Sequence, residues 1–188
     1  HLSVHSFPTR RSSDLVLIYS SFSHRTVDQV FHDVLLQEDV PMVLGFDRAG
    51  LVGEDGPTHH GLYDITLFRA FPGVVMASPV DLREVALLLR WAVDSGKVVV
   101  LRYPRGPIPS LDEVEKMPAV EEGKGYMISE GKDVCILAYG SMVRNALDAA
   151  ALLKEEGISA GVANARFAKP VDGALVTQAA NSKLLVTV

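Results

Sequence analysis

Short apolar runs that alternate with amphipathic stretches constrain this chain more than any other feature. Val16 to Tyr19, Met42 to Phe46, Val74 to Ala77 and Val98 to Arg102 have the length and side-chain chemistry of strands. Between them, Val27, Val30, Phe31, Val34 and Leu35 recur at helical spacing, and so do Val85, Leu88, Leu89 and Ala92. Strand and helix in regular alternation predict a parallel sheet with crossover helices. For the second helix, Ser78 as cap, Pro79 at the first helical position and Asp81 three residues after the cap predict the start, and Gly96 the end.

Residues Pro104 to Pro118 hold four prolines and a glycine with no sustained period, which predicts a linker. Beyond it, Val134 to Ala138, Ile158 to Ala163 and Leu184 to Val188 read as strands. Ser141 can cap a helix bearing Val143, Ala146, Leu147, Ala150 and Leu153, which Gly157 ends, and another helix is expected around Asp172 to Ala180. The expected fold is α/β throughout: part of one parallel-sheet domain over 16–103, a linker over 104–118, and a truncated second α/β domain over 119–188. Residues His1 to Leu15 share no periodicity with the rest of the chain and read as a foreign leader or an artefact.

With 188 residues, 48% of them hydrophobic, the chain can bury a substantial core. Its formal net charge of -5 excludes broad electrostatic attraction to nucleic acid or an anionic membrane, so any anion must be held by locally placed arginines. No apolar run approaches membrane-spanning length, and a soluble protein is expected. The single cysteine, Cys135, lies in an apolar run and reads as a buried reduced thiol acting as a small hydrophobe.

Chemistry concentrates between Asp47 and Gly61. Four glycines and Pro57 forbid regular structure there, while Arg48, Glu54, Asp55, His59 and His60 supply acid, base and anion-binding groups. In open parallel sheets, ligands bind beyond the carboxyl ends of the strands. Tyr19, Phe22 and Arg25 follow the first predicted strand, Asp47 to His60 follow the second, and Arg102 and Arg105 lie at and after the fourth, so all could line one sheet edge. Such a group suits a phosphorylated or carboxylated substrate, because guanidinium presents a planar fork of donors. Plainer readings stand beside this one: Arg102 fits an ion-paired arginine equally well, and Tyr19 and Phe22 taken alone fit core aromatics. His24 and His32 read as solvated or interface residues. Asp55, His59 and His60 have no further ligands at a spacing typical of structural zinc, and no metal site is expected.

These residues carry a family resemblance. Tyr19-Ser20-Ser21-Phe22-Ser23-His24-Arg25, Asp28-Gln29-Val30, His32-Asp33-Val34, and above all Asp47-Arg48-Ala49-Gly50-Leu51-Val52-Gly53-Glu54-Asp55-Gly56-Pro57-Thr58-His59 resemble the 1-deoxy-D-xylulose-5-phosphate synthase family of transketolase-like enzymes. Arg102-Tyr103-Pro104-Arg105-Gly106 and Asn164-Ala165-Arg166-Phe167-Ala168-Lys169-Pro170 are similar to it too, and the likeness runs from about Val16 to Val188. Related transketolases share the Glu-Asp-Gly-Pro-Thr-His core but resemble the segment upstream of it poorly.

The resemblance implies a thiamine-diphosphate enzyme that joins pyruvate to glyceraldehyde 3-phosphate with loss of carbon dioxide, giving a precursor of isoprenoids, thiamine and pyridoxal. It implies that Phe22 packs on the cofactor's aminopyrimidine ring, and that Tyr19, Arg25, Arg48, Asp55, His59 and Arg105 line the substrate pocket. Arg48 and Arg105 would bind the phosphate, and His59, near Asp55, would handle protons. Magnesium and its ligands, with the glutamate that activates the cofactor, are expected in a region this chain lacks. The chain alone is therefore expected neither to bind thiamine diphosphate tightly nor to turn over. The resemblance also implies a homodimer at full length, located in the cytoplasm of a bacterium or in a plastid if eukaryotic. The alternatives are a transketolase, a β-subunit of a 2-oxo acid dehydrogenase, and a non-catalytic folding or dimerisation module.

Overall fold

The computed structural model describes residues 14–37, 40–107 and 110–188, and the sequence from 1 to 13 lies outside the described residues. In the first sheet, β1 (Asp14–Tyr19), β2 (Met42–Asp47), β3 (Val74–Ala77) and β4 (Val98–Arg102) are parallel, in the order β1-β2-β4-β3. Register pairs Met42 with Val98 and Val74 with Val98, so even-numbered residues of β2, β3 and β4 share one face and odd-numbered residues the other. The even face buries Leu44, Phe46, Met76 and Val100 against Val30, Val34 and Phe68; the odd face buries Val43, Val75, Val99 and Leu101 against Leu88 and Ala92. Burial on both faces explains why these strands are almost continuously apolar.

The connection from β1 to β2 is helical but irregular. Short pieces, α1 (Ser20–Ser23) and α2 (Val27–Gln29), are joined by a tight turn over His24–Thr26 and followed by a wider π-type turn over Val30–Leu35. Packing of Val30 and Val34 holds it, since β-branched residues give such a segment little helical propensity. After α3 (Asp64–Phe68), the regular helix α4 (Leu82–Asp94) crosses the odd face.

The start of α4 differs from the expectation. Asp81, not Ser78, is the cap: its carboxylate accepts from the backbone N–H of Arg83 and Glu84. Ser78 instead donates its hydroxyl to the Arg102 carbonyl at 2.8 Å, so it serves the sheet and leaves Pro79 outside the helix. Two acceptor oxygens and a full charge make Asp81 the stronger partner for the first-turn amides. Gly96, at φ 66, follows the end of α4 as expected.

The second sheet has the order β5-β7-β6-β9, from β5 (Tyr126–Ser129), β6 (Val134–Ala138), β7 (Ala160–Asn164) and β9 (Leu184–Thr187), with β5 antiparallel to β7. Helix α5 (Met142–Glu155) covers one face through Val143 and Ala146; α6 (Gly173–Ala179) covers the other through Leu175 and Ala179, beside buried Cys135. Burial pushes the Cys135 thiol pKa up, away from the reactive thiolate. Ser141 stands at the α5 cap position but its side chain makes no capping bond.

Two strands escape the sequence pattern. β5 is half exposed and carries no long apolar run. β8 (Phe167–Lys169) leaves the second unit and pairs antiparallel with β3, closing the far edge of the first sheet. The segment after Pro104 is tied down as well. Leu111 and Val114 are buried in the core that α5 covers, and Arg83 donates to the carbonyls of both, at 2.7 and 2.8 Å.

Asp172 caps α6, accepting from Ala174 and Leu175 N–H at 3.1 and 3.2 Å while also accepting from Gly125 N–H. Burial alone would raise its pKa, but these amides and Lys124 outweigh it and the net shift is downward. A depressed carboxyl stabilises the fold above the ordinary carboxylate range and loses that contribution as pH falls through its folded value. Asp172→Ala is therefore expected to cost about 1 kcal/mol at neutral pH and less in acid. Denaturant unfolding at several pH values checks this; a deficit that does not shrink in acid contradicts it.

Candidate functional site

Three strand ends meet at the carboxyl edge of the first sheet. β1 ends in Tyr19 and runs directly into Phe22; β2 ends in Asp47 and opens the loop to Gly61; β4 ends in Arg102 and continues to Arg105. Parallel strands deliver all three to one edge because they share a direction, and adjacency in the sheet brings the loops into contact.

The β2–α3 loop is closed at its base. Gly50 N–H donates to the Gly61 carbonyl at 2.9 Å and Gly61 N–H returns a bond to the Gly50 carbonyl at 2.8 Å. Ala49 N–H donates to the Tyr103 carbonyl at 3.0 Å, tying this base to the segment after β4. Gly61 must be glycine, since a Cβ there would collide with the Ser20 hydroxyl and lie 2.7 Å from the Arg48 carbonyl oxygen. His60 braces the loop by accepting the Val52 N–H on Nδ1 at 3.2 Å, so its neutral ring carries the proton on Nε2.

Arg48 adopts φ 58, a left-handed conformation rare for residues other than glycine, and its N–H donates to the Asp47 carboxylate at 2.6 Å. Such backbone strain concentrates at functional positions. The conformation sends the Arg48 guanidinium over the Tyr19 ring, 4.1 Å from its centroid, and into an ion pair with Asp55. Arg105 Nη1 reaches the same Asp55 oxygen at 2.7 Å. One carboxylate thus gathers two guanidiniums, whose remaining N–H donors are available to an anion.

Tyr19 stacks on Phe22 at 5.5 Å, and His59 meets the Phe22 ring edge-on at 5.3 Å with Tyr19 at 6.3 Å. Phe22 remains 41% exposed, so its ring is open to a planar partner. The His59 Nδ1 lies 3.0 Å from the Thr58 hydroxyl. Tyr19, Phe22, Arg48, Asp55, His59 and Arg105 therefore form one cluster.

Other expected site residues lie elsewhere. Arg25 is exposed in the turn after α1 and makes none of the cluster's contacts. Arg102 points to the even face, where its Nε and Nη2 hold the fully buried Asp64 carboxylate at 2.9 and 3.4 Å; it is an ion-paired arginine. Asp55 engages the two arginines and not His59: guanidiniums carry permanent charge and give the carboxylate charge-assisted hydrogen bonds. At the surface His32 pairs with Asp28 at 2.9 Å, whereas His24 is half-buried against Tyr63, its Nε2 buried without a hydrogen-bond partner. Among the described residues, no group of three or more His, Cys, Asp or Glu could hold a metal ion, and no helix is long and apolar enough to cross a membrane. A groove of about 670 Å³ lies on the second unit beside Leu147, Lys154 and Ser159 and shares no residue with the cluster.

Asp64 is not singled out by the sequence analysis. A signal existed in the strand parity: Arg102 is in register with Phe46, which places it on the buried even face, and an arginine there requires a carboxylate partner.

Loops gathered at one edge of a parallel sheet, with a second α/β unit lending a strand to that sheet, define a two-domain α/β fold of the transketolase type. The chain belongs to that family: residues 15–110 match the transketolase pyrimidine binding domain and residues 123–188 the transketolase C-terminal domain. Among curated relatives, the 1-deoxy-D-xylulose-5-phosphate synthase of Syntrophus aciditrophicus is 47% identical over 175 residues, covering 93% of this chain and 27% of that protein. The enzyme of the same name from Heliobacterium modesticaldum is 46% identical with the same coverage. Among solved structures, a split-gene transketolase described as an inactive beta4 tetramer superposes with a TM-score of 0.82 at 26% identity, over 93% of this chain and 56% of that one. The chain thus spans about a quarter of the length of the curated relatives it matches.

Proposed function

We propose that this chain supplies the substrate-facing part of a 1-deoxy-D-xylulose-5-phosphate synthase, which condenses pyruvate with glyceraldehyde 3-phosphate and releases carbon dioxide. The observation that carries this reading is the convergence of Tyr19, Phe22, Arg48, Asp55, His59 and Arg105 at one sheet edge. Identities of 46–47% to synthases, against 26% to the split-gene transketolase, favour the synthase over a transketolase.

The residues present fit thiamine diphosphate at its pyrimidine end, because Phe22 offers an aromatic ring 41% exposed beside polar groups. When bound, the cofactor supplies a nucleophilic carbon and an electron sink for decarboxylation. This chain's residues orient the substrates around it. Arg48 and Arg105 hold the aldehyde's phosphate with donors that Asp55 does not occupy, and Asp55 keeps the two guanidiniums together against their mutual repulsion. The Tyr19 ring supports the Arg48 guanidinium, and a substrate-binding role for Arg25 rests on the family likeness alone. His59 gives and takes protons at the substrate carbonyl and hydroxyl oxygens. The described residues do not fit magnesium, and no step runs through it. Diphosphate and metal binding, together with assembly as a homodimer, belong to the full-length protein in this reading.

The test places residues 16–188 in the Syntrophus aciditrophicus enzyme in exchange for its matching segment. With pyruvate, glyceraldehyde 3-phosphate, thiamine diphosphate and magnesium, the chimera is expected to yield 1-deoxy-D-xylulose 5-phosphate. Transfer of a two-carbon unit between sugar phosphates, without use of pyruvate, would point to a transketolase. In the same chimera, Arg105→Ala is expected to raise KM for glyceraldehyde 3-phosphate by about 10- to 100-fold, with a much smaller change for pyruvate. Equal effects on both substrates would sink the phosphate assignment.

A further inference from the structure

The second unit touches the first directly behind the site loop. At the carboxyl end of β6, the Tyr139 ring covers the Arg102 guanidinium at 5.8 Å, and Gly140, at φ 59, packs so tightly on Ser78 that a Cβ would collide with its hydroxyl. Ser78 in turn donates to the Arg102 carbonyl at 2.8 Å. Arg102 is thereby held at both its backbone and its side chain. On its other side it grips Asp64, the first residue of α3 and three positions beyond Gly61, which closes the loop bearing Asp55 and His59. Three residues along the chain from Arg102 stands Arg105.

We propose that Arg102, backed by the Tyr139–Gly140 turn, is a positioning residue for the site: through Asp64 it clamps the loop over 50–61 to the end of β4, keeping Asp55 and His59 in register with Arg105. This rests on the functional reading above for its purpose, but its physical content is independent of it. The second unit, which contributes no side chain to the cluster, would then act on the site through one buried ion pair. A fork gripping both carboxylate oxygens fixes angle as well as distance, which a point charge does not. The Tyr139 hydroxyl is buried without a hydrogen-bond partner, and burial raises its pKa further above the ordinary phenol value, so the ring face is the working part.

Amide hydrogen exchange by NMR on the 188-residue chain tests the clamp. Gly50 and Gly61 report the loop base, Val99 and Val100 the sheet core. Arg102→Lys keeps the charge and loses the fork. It is expected to accelerate exchange at Gly50 and Gly61 by about tenfold or more, with the core amides unchanged. Tyr139→Leu is expected to give the same loop-selective acceleration to a smaller degree, and Tyr139→Phe to leave all four amides as in the parent. A merely structural contribution would accelerate loop and core amides by the same factor, and that result, or unchanged Gly50 and Gly61 in Arg102→Lys, would overturn the proposal. Failure of the chimera to make product would leave these exchange rates untouched, so the two readings fail separately.

Discussion

Arg166→Ala is expected to destabilise the chain by about 3–5 kcal/mol, enough to unfold a domain of ordinary stability. Arg166 is 1% exposed, and Glu84, its partner on α4, is fully buried. Nε donates to Glu84 at 2.7 Å, Nη1 to the Ala119 carbonyl at 3.0 Å and Nη2 to the Pro118 carbonyl at 3.1 Å, and the guanidinium lies 4.8 Å from the Tyr126 ring centroid. Glu84 also accepts from Val80 N–H and the Asn164 amide, so its carboxylate joins α4, the end of β7 and the turn into β8. Tyr126 registers the same environment: burial, then the Glu84 charge, push its pKa up to about 12. Removing the arginine leaves a charged carboxylate in a dry interior and two carbonyls without donors.

Denaturant unfolding measures the loss, and a second variant identifies its origin. Arg166→Met combined with Glu84→Gln removes both charges while keeping volume, and it is expected to recover part of the deficit. If the double variant is as unstable as the sum of its single changes, the unpaired carboxylate is not what the alanine variant suffers from. Because the network joins groups from both units, the parent chain is expected to unfold in one transition.

In the chimeric enzyme, His59→Phe is expected to lower kcat by about 10²- to 10⁴-fold, the usual contribution of a positioned acid–base group. Phenylalanine preserves the edge-on packing against Phe22, so thermal stability should hold and KM should change far less than kcat. A kcat within about tenfold of the parent would remove His59 from proton transfer. The polar neighbour of His59 Nδ1 is the Thr58 hydroxyl at 3.0 Å, not Asp55.

Legibility in the sequence varied with the range of the interaction. The four parallel strands and the helices α4, α5 and α6 could be read because their signals are local: apolar runs, helical spacing and a terminal glycine. The cluster was readable in outline for a topological reason. Once parallel strands are inferred, their carboxyl-end loops must share an edge, and Arg48, Asp55, His59 and Arg105 fall in those loops. Ser78 and Asp81 show where local reading stops. Both are good caps, and the choice between them turned on Arg102, whose carbonyl takes the Ser78 hydroxyl from across the sheet.

The sequence alone determined the α/β class of this protein, the sheet edge at which its charged and aromatic loop residues collect, and the family its loop resembles. All three rest on the period of apolar residues and on one dense motif, neither of which needs partners distant in the chain. Only the tertiary structure decided that β8 crosses to the first sheet, that Asp55 holds two arginines and not His59, and that Arg102 and Arg166 bind buried carboxylates 38 and 82 positions away. A charged side chain in sequence carries no mark of its partner. The cost of burying it unpaired selects that partner, and that cost exists only once the fold has excluded water.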